Sequence, residues 1–136
     1  MKNSLALLVM QPERRETLLQ ALRVLEIETL AVSTCAEARS LFQTSPSVEL
    51  VLTEVSLHDG NWSDVLRHLV DNGIEASVVV SSQRPDEHLF SEVIWRGGYD
   101  VLVEPYEKTE VRQTLEGALR AAQRNALINQ SMRASN

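Results

Sequence analysis

The stretch WRGGYDVLVEP, residues 95–105, carries the clearest signals of how this chain is organised. Gly97-Gly98 is typical of a helix end, where a residue without a β-carbon fits the backbone best. The apolar run Val101–Val103 follows, and a continuous run of this kind indicates a strand buried on both faces. Glu104 and Pro105 stand at the carboxyl end of that run. The stretch therefore predicts a helix end followed by a short buried strand.

Apolar runs of the same kind recur along the chain. They are Leu5–Met10, Glu28–Val32, Leu50–Thr53 and Ser77–Val80. Amphipathic segments with apolar residues at helical spacing follow the runs. Their apolar residues are Leu18, Leu22 and Leu25; Ala38, Leu41 and Phe42; Val65, Leu66, Leu69 and Val70; Leu89 and Val93, with Phe90 and Ile94 as further members; and Val111, Leu115, Ala118, Leu119 and Ala122. Five strands alternating with five helices predict an α/β, flavodoxin-like, five-stranded parallel sheet of order 2-1-3-4-5 with helices on both faces.

The sequence also indicates where several helices begin and end. Thr34 and Glu37 have the spacing of a capping box at the start of the second helix. Asn61 is the expected cap of the third helix, and Asn72-Gly73 its expected end. Pro85 is tolerated as a first helical residue, so we expect the fourth helix to begin there.

Composition excludes several classes of protein. The chain has 136 residues, which suits one domain, and a formal net charge of −6 at pH 7. This acidic balance, without a dense Lys/Arg cluster, argues against direct binding to nucleic acid or an anionic membrane. Cys35 is the single cysteine, which excludes an internal disulfide. The longest apolar run is too short to span a bilayer and no signal-peptide pattern precedes it, so we expect a cytoplasmic protein.

The carboxyl ends of the predicted strands are where a ligand or reactive group would lie. After the first strand the chain reads Gln11-Pro12-Glu13-Arg14 and has no glycine-rich loop. Bare backbone amides that cradle a phosphate are therefore missing, which argues against a nucleotide or flavin cofactor. We expect no cofactor and no metal.

Three segments resemble the receiver domain of bacterial response regulators, the CheY-like family. Residues 49–60 (ELVLTEVSLHDG) resemble the segment around the phospho-acceptor aspartate. Residues 77–82 (SVVVSS) resemble the fourth strand, which ends in a switch serine or threonine. Residues 95–105 resemble the fifth strand, which ends in a lysine-proline pair whose bond is usually cis. The resemblance covers about residues 4–125. It implies a receiver-like domain over residues 1–125, with a C-terminal helix extension or tail over residues 126–136.

The sequence departs from the receiver pattern at the positions that carry its chemistry. The acidic pair that binds Mg²⁺ falls on Met10 and Gln11, or on Val9 and Met10. The acceptor aspartate is replaced by Glu54 and the lysine by Glu104, while Pro105 stays as the candidate cis proline. The aromatic switch residue falls on Val101, and only the switch hydroxyl, Ser82, remains. Because phosphoryl transfer depends on positioning and charge neutralisation, the resemblance predicts an atypical, phosphorylation-independent receiver that is not an enzyme.

Glu54 and Ser82 each have two interpretations. Glu54 is either a built-in mimic of a phosphorylated aspartate or a strand-end residue without a signalling role, since glutamate carries one charge and phosphate up to two. Ser82 either hydrogen-bonds Glu54 or caps the following helix.

The repulsion between two carboxylates at the site can be relieved in two ways. Glu54 and Glu104 should lie close together, and two carboxylates without a cation resist joint ionisation. Either Arg14 or Arg84 folds over the pocket, or one glutamate stays protonated. In the second case Glu104→Lys should stabilise the fold by ~0.5–1.5 kcal/mol. Surface arginines are common, so we expect Arg14, Arg15 and Arg84 to be solvated.

The remaining candidates have ordinary structural interpretations. His58, His68 and His88 lack metal-ligand spacing and are expected at the surface. Cys35 lies in the first turn of a helix, where a thiol pKa can fall, but a small buried packing residue is the commoner role.

Partners are expected to be proteins. The resemblance implies an interaction face formed by the fourth helix, fifth strand and fifth helix, with Trp95, Val101 and Tyr106 on it. We expect Trp95 to be exposed there and to support a homodimer. Further partners would be an output domain, a histidine kinase or an effector. The helical pattern reaches Leu127 and Ile128 before it frays, as in a helix leading to another domain.

Two alternatives stay open: a receiver phosphorylated on Asp59 or another acid, and a small flavodoxin-like cofactor-binding protein.

Overall fold

A computed structural model describes residues 3–45 and 47–134. Its strands are β1 (Leu5–Val9), β2 (Glu28–Val32), β3 (Leu50–Glu54), β4 (Ser77–Ser82) and β5 (Asp100–Val103). Its helices are α1 (Glu16–Val24), α2 (Cys35–Thr44), α3 (Trp62–Asp71), α4 (Glu87–Trp95) and α5 (Lys108–Ala134). A 3₁₀ turn, Pro12–Arg14, precedes α1, and a small hairpin pairs Ser56–Leu57 with Gly60–Asn61.

The five strands form one parallel sheet in the order β2-β1-β3-β4-β5, which confirms the predicted order 2-1-3-4-5. Side chains on one face of the sheet pack against α2, α3 and α4, and those on the other pack against α1 and α5. β3 and β4 are buried along their whole length, as their continuous apolar sequences predicted.

Helix starts agree with the sequence in two cases and differ in a third. Asn61 caps α3 in a full capping box with Asp64, and Thr34 caps α2 by accepting from Glu37 N–H. The carboxylate of Glu37 accepts from Ser33 N–H at 3.1 Å, one residue earlier than expected. The prediction for Pro85 was wrong, because Asp86 is the cap and α4 begins at Glu87. An aspartate that accepts two first-turn amides outweighs the tolerance of proline at a first helical position.

Burial also corrects the helical stripes. Val70, Phe90 and Ile94 are exposed, because the stripes predicted for α3 and α4 are wider than the faces that contact the sheet. The last helix is longer than its apolar pattern indicated and continues through Ile128 to Ala134. The final two residues of the predicted tail lie outside the described residues. No helix in residues 3–45 and 47–134 combines the length and apolar character needed to cross a membrane.

Candidate functional site

Four strands deliver polar side chains to one edge of the sheet. Because the strands are parallel, their carboxyl ends meet there, and ligands in such folds bind at that edge. Glu54 is the last residue of β3, Ser81 and Ser82 end β4, and Glu104 follows β5. The loop after β1 crosses this edge and carries Arg14.

Glu54 is a buried carboxylate with both oxygens engaged. The residue is 5% exposed. Its Oε2 accepts a hydrogen bond from the backbone N–H of Gln11 at 2.7 Å. Its Oε1 lies 2.8 Å from Nη1 of Arg14. A buried charge with two such partners avoids the penalty that an unpaired one would incur.

Arg14 bridges the two glutamates. Its Nη2 lies 2.9 Å from Oε1 of Glu104, while Nη1 binds Glu54. Burial alone would lower the pKa of Arg14, but the hydrogen bond to Glu104 and the charges of Glu54 and Glu104 together raise it. The prediction that Arg14 is solvated was therefore wrong, and the predicted alternative in which an arginine folds over the pair is the one observed. The prediction rested on how often arginines lie at the surface, but the two carboxylates attract the guanidinium more strongly than solvent does.

Tyr106 extends this network to the end of β4. Its hydroxyl lies 3.3 Å from Glu104 Oε1 and shares a short hydrogen bond with the hydroxyl of Ser81. Burial raises the pKa of Tyr106. The hydrogen bond with Ser81 lowers this pKa, and the negative charge of Glu104 raises it further. The ring packs against the core layer beneath α1 and α5. Tyr106 was expected on the interaction face with Trp95, and the structure places it in the site instead.

The loop after β1 is held by its own side chains. Arg15 Nε donates to the carbonyl of Met10 at 2.8 Å, and Arg15 Nη2 donates to Ser33 Oγ at 2.9 Å. Arg15 is thus a structural cross-link between the loops after β1 and β2, which corrects the expectation that it is solvated. Met10 is fully buried and belongs to the core layer beneath α1 and α5.

The chain resembles known proteins in structure and not in sequence. No family model matches the chain, and no curated protein matches its sequence. Solved structures do match. A signal receiver domain from Vibrio parahaemolyticus superposes with a TM-score of 0.81 at 19% identity, covering 94% of this chain and 98% of that one. The signal receiver domain of an HD domain-containing protein from Pseudomonas fluorescens gives 0.76 at 21% identity, covering 90% and 98%. A response regulator receiver domain protein from Clostridium thermocellum gives 0.77 at 16% identity, covering 92% and 98%.

The fold is that of a receiver domain. The Glu104–Pro105 peptide bond is cis, the isomer that the resemblance to receiver domains implied.

Ser82 takes neither of its two predicted roles in this receiver fold. Its hydroxyl donates to the carbonyl of Arg84 at 2.8 Å and accepts from the Arg84 N–H at 3.3 Å. It therefore shapes the loop before α4, while Asp86 caps that helix. Arg84 is exposed, as expected.

Asp59 lies in the loop of the hairpin and is bound to α2. Its carboxylate accepts from the backbone N–H of Cys35 at 2.7 Å and of Ala36 at 3.0 Å. These hydrogen bonds lower the pKa of Asp59. An anion at a helix N-terminus is also favoured by the helix dipole. The residue is absent from the cleft that Glu54, Arg14, Ser81 and Ser82 line, so the structure separates it from the site.

Cys35 and the histidines fit their ordinary roles. Cys35 is 4% exposed, and burial, followed by the negative charge of Asp59, raises its pKa to about 11. Such a thiol is a packing group. His58 and His88 are exposed and His68 is half-buried. Within the described ranges, no group of three or more His, Cys, Asp and Glu side chains is placed to hold a metal ion.

The residues predicted for an interaction face are only partly brought together. Trp95 is 89% exposed, as expected, and Phe90 and Ile94 on α4 are 48% and 44% exposed. Val101 lines a groove between α4 and β5 together with Phe90 and Val103. The sequence did not predict the roles of Arg15 and Asp59. For Asp59, the one signal was an aspartate in a loop, a residue type that often accepts hydrogen bonds from the first amides of a helix.

Proposed function

We propose that this domain is a receiver-type signalling module of bacterial two-component or related regulation that works through protein contacts and catalyses no phosphoryl transfer. The observation that carries the proposal is the position of Arg14 between Glu54 and Glu104. By resemblance, Glu54 stands at the acceptor position and Glu104 at the lysine position. A guanidinium already fills the space between them.

The chemistry of the site supports this. Phosphoryl transfer to a carboxylate requires a free oxygen and cations around the transferred group. Both oxygens of Glu54 are engaged, at 2.7 and 2.8 Å, and the positions that the resemblance assigns to the acidic pair hold Met10 and Gln11, or Val9 and Met10, without a carboxylate. Mg²⁺ needs several oxygen ligands in octahedral geometry, commonly including one or two carboxylates. Residues Met10 and Gln11 do not complete such a set with Glu54.

The contacts of Glu54 also bear on the phosphate-mimic interpretation. A phosphoryl group brings up to two charges and three acceptor oxygens. Glu54 brings one charge, which Arg14 offsets, and the hydroxyl of Ser82 is bonded to Arg84. We therefore favour a constant structural ion pair over a mimic of the activated state.

Protein partners follow from the same proposal. The α4 face with Trp95 is proposed as a homodimer contact, and one structural neighbour is a beryllofluoride-activated NtrC4 receiver domain dimer, with a TM-score of 0.77 at 15% identity and coverage of 88% of this chain and 98% of that one. An output domain, a kinase or an effector are the proposed classes of heterologous partner. We propose a cytoplasmic location, with no direct contact to nucleic acid or membrane.

Intact-mass measurement after incubation with acetyl phosphate and Mg²⁺ tests the proposal. We expect no phosphoryl adduct under conditions that modify a phosphorylatable receiver domain in the same tube. An adduct that disappears in Asp59→Asn would establish the alternative acceptor, and one that disappears in Glu54→Gln would refute the blocked site. An absorbance spectrum of the purified protein tests the cofactor-binding alternative, which predicts a flavin or cobalamin band.

A further inference from the structure

The distal part of α5 is a helix with almost no packing of its own. Ala122 is the last buried residue of α5. From residue 123 to residue 134 every residue is exposed except Asn129, which is half-buried. This segment includes the large apolar side chains Leu127, Ile128 and Met132, which are 66%, 50% and 63% exposed. A helical segment of this length is marginal in water without tertiary contacts.

One residue of the domain body reaches this segment with two contacts. Glu75 lies in the loop that leads into β4. Its Oε1 accepts a hydrogen bond from Nδ2 of Asn129 at 2.6 Å and lies 3.9 Å from Nη2 of Arg133. Asn129 and Arg133 are four residues apart, so they sit on the same side of the helix, one turn from each other.

We infer that Glu75 is a latch that holds the distal turns of α5 against the amino-terminal edge of the sheet. The latch keeps the segment helical and fixes the direction in which Leu127, Ile128 and Met132 are presented. Glu75 acts as a positioning residue for this helical segment. The inference does not depend on whether Glu54 accepts a phosphoryl group.

Charge supports the assignment of Glu75 to this role. From Gly117 to Ala134 the helix contains Arg120, Arg124 and Arg133 and no acidic residue, while the whole chain has a net charge of −6. Arg120 has an acidic partner in Glu116, 3.7 Å away on the helix itself. Arg133 lies in the last described turn, and its described ion-pair partner, Glu75, comes from the body. A cation near a helix C-terminus already suits the helix dipole, and Glu75 anchors it there.

Amide hydrogen exchange read by mass spectrometry on the full chain tests the latch. In Glu75→Ala we expect peptides covering residues 123–134 to exchange about 5-fold faster, because a charged hydrogen bond and an ion pair are lost. Glu75→Gln retains an acceptor for Asn129 and should give a smaller increase. Glu116→Ala removes a glutamate of α5 whose ion pair is to Arg120 on the same helix, and it serves as the matched control, with less than ~2-fold change.

Two readouts decide the outcome. Unchanged exchange in residues 123–134 of Glu75→Ala, relative to wild type and Glu116→Ala, overturns the inference. If Glu75→Ala instead speeds exchange in β3 as well, the surface variant Asn129→Ala decides, since it removes the same hydrogen bond from the helix side. Faster exchange confined to residues 123–134 in Asn129→Ala supports the latch, and no change there refutes it.

Discussion

Arg14 and Glu104 attract each other across the carboxyl edge of the sheet, with 2.9 Å between Nη2 and Oε1. From sequence alone, Glu104 was a source of repulsion toward Glu54. The bridging guanidinium reverses that relationship, because each carboxylate now faces a cation. Predictions about the charge of this site therefore change sign.

Glu104→Lys should now destabilise the fold. The new ammonium would face Arg14 instead of neutralising Glu54, so we expect a loss of about 1 kcal/mol in the free energy of unfolding. Urea denaturation at neutral pH measures it. Glu13→Lys makes the same charge change at an exposed neighbour and should cost less. A variant more stable than wild type would show that Arg14 does not hold Glu104.

Arg14→Met should lower the free energy of unfolding by about 2 kcal/mol, more than Glu104→Lys does. The reason is that it leaves the buried carboxylate of Glu54 without a counter-ion. Adding Glu54→Gln to Arg14→Met should restore much of the stability at neutral pH. If the two substitutions are simply additive in a double-mutant cycle, the ion pair contributes nothing.

The Cys35 thiol should be nearly unreactive. With its pKa raised to about 11, against about 8.5 for a free thiol, the thiolate population at pH 8 falls by ~200-fold. We expect labelling by a disulfide reagent at least that much slower than labelling of free cysteine. Because the folded state holds its proton more tightly, this group also makes the fold less stable as pH rises from about 8.5 to 11. Labelling in the native protein at the rate of free cysteine would contradict the burial of Cys35.

Trp95→Ala should weaken self-association. The side chain is 89% exposed on the face proposed for a second copy, and tryptophan is frequent at binding hot spots. Sedimentation velocity over a concentration series measures the equilibrium. Val70→Ala, an exposed apolar residue on α3, is the control for general loss of surface hydrophobicity. Equal dimer dissociation constants for Trp95→Ala and wild type would show that Trp95 is not part of the interface.

The sheet order followed from the sequence because five apolar runs alternate with five amphipathic segments, and parallel connections of this kind have few topologies. The cap at Asn61 and the exposure of Trp95 were also predictable, because both depend on local pattern. The bridge formed by Arg14 was not predictable as the preferred outcome. It depends on a 3₁₀ turn and on a long side chain whose direction no periodicity specifies. The contacts of Asp59 were not predictable for a similar reason, since its partner, the start of α2, is 24 residues away.

A counter-ion that is covalently part of the chain behaves differently from a bound metal. Arg14 is supplied once per molecule at synthesis; dilution cannot release it, and a chelator cannot strip it from the Glu54 site. Its charge is constant at every physiological pH. Under the proposed function, that site therefore needs no loading step and has no decay time.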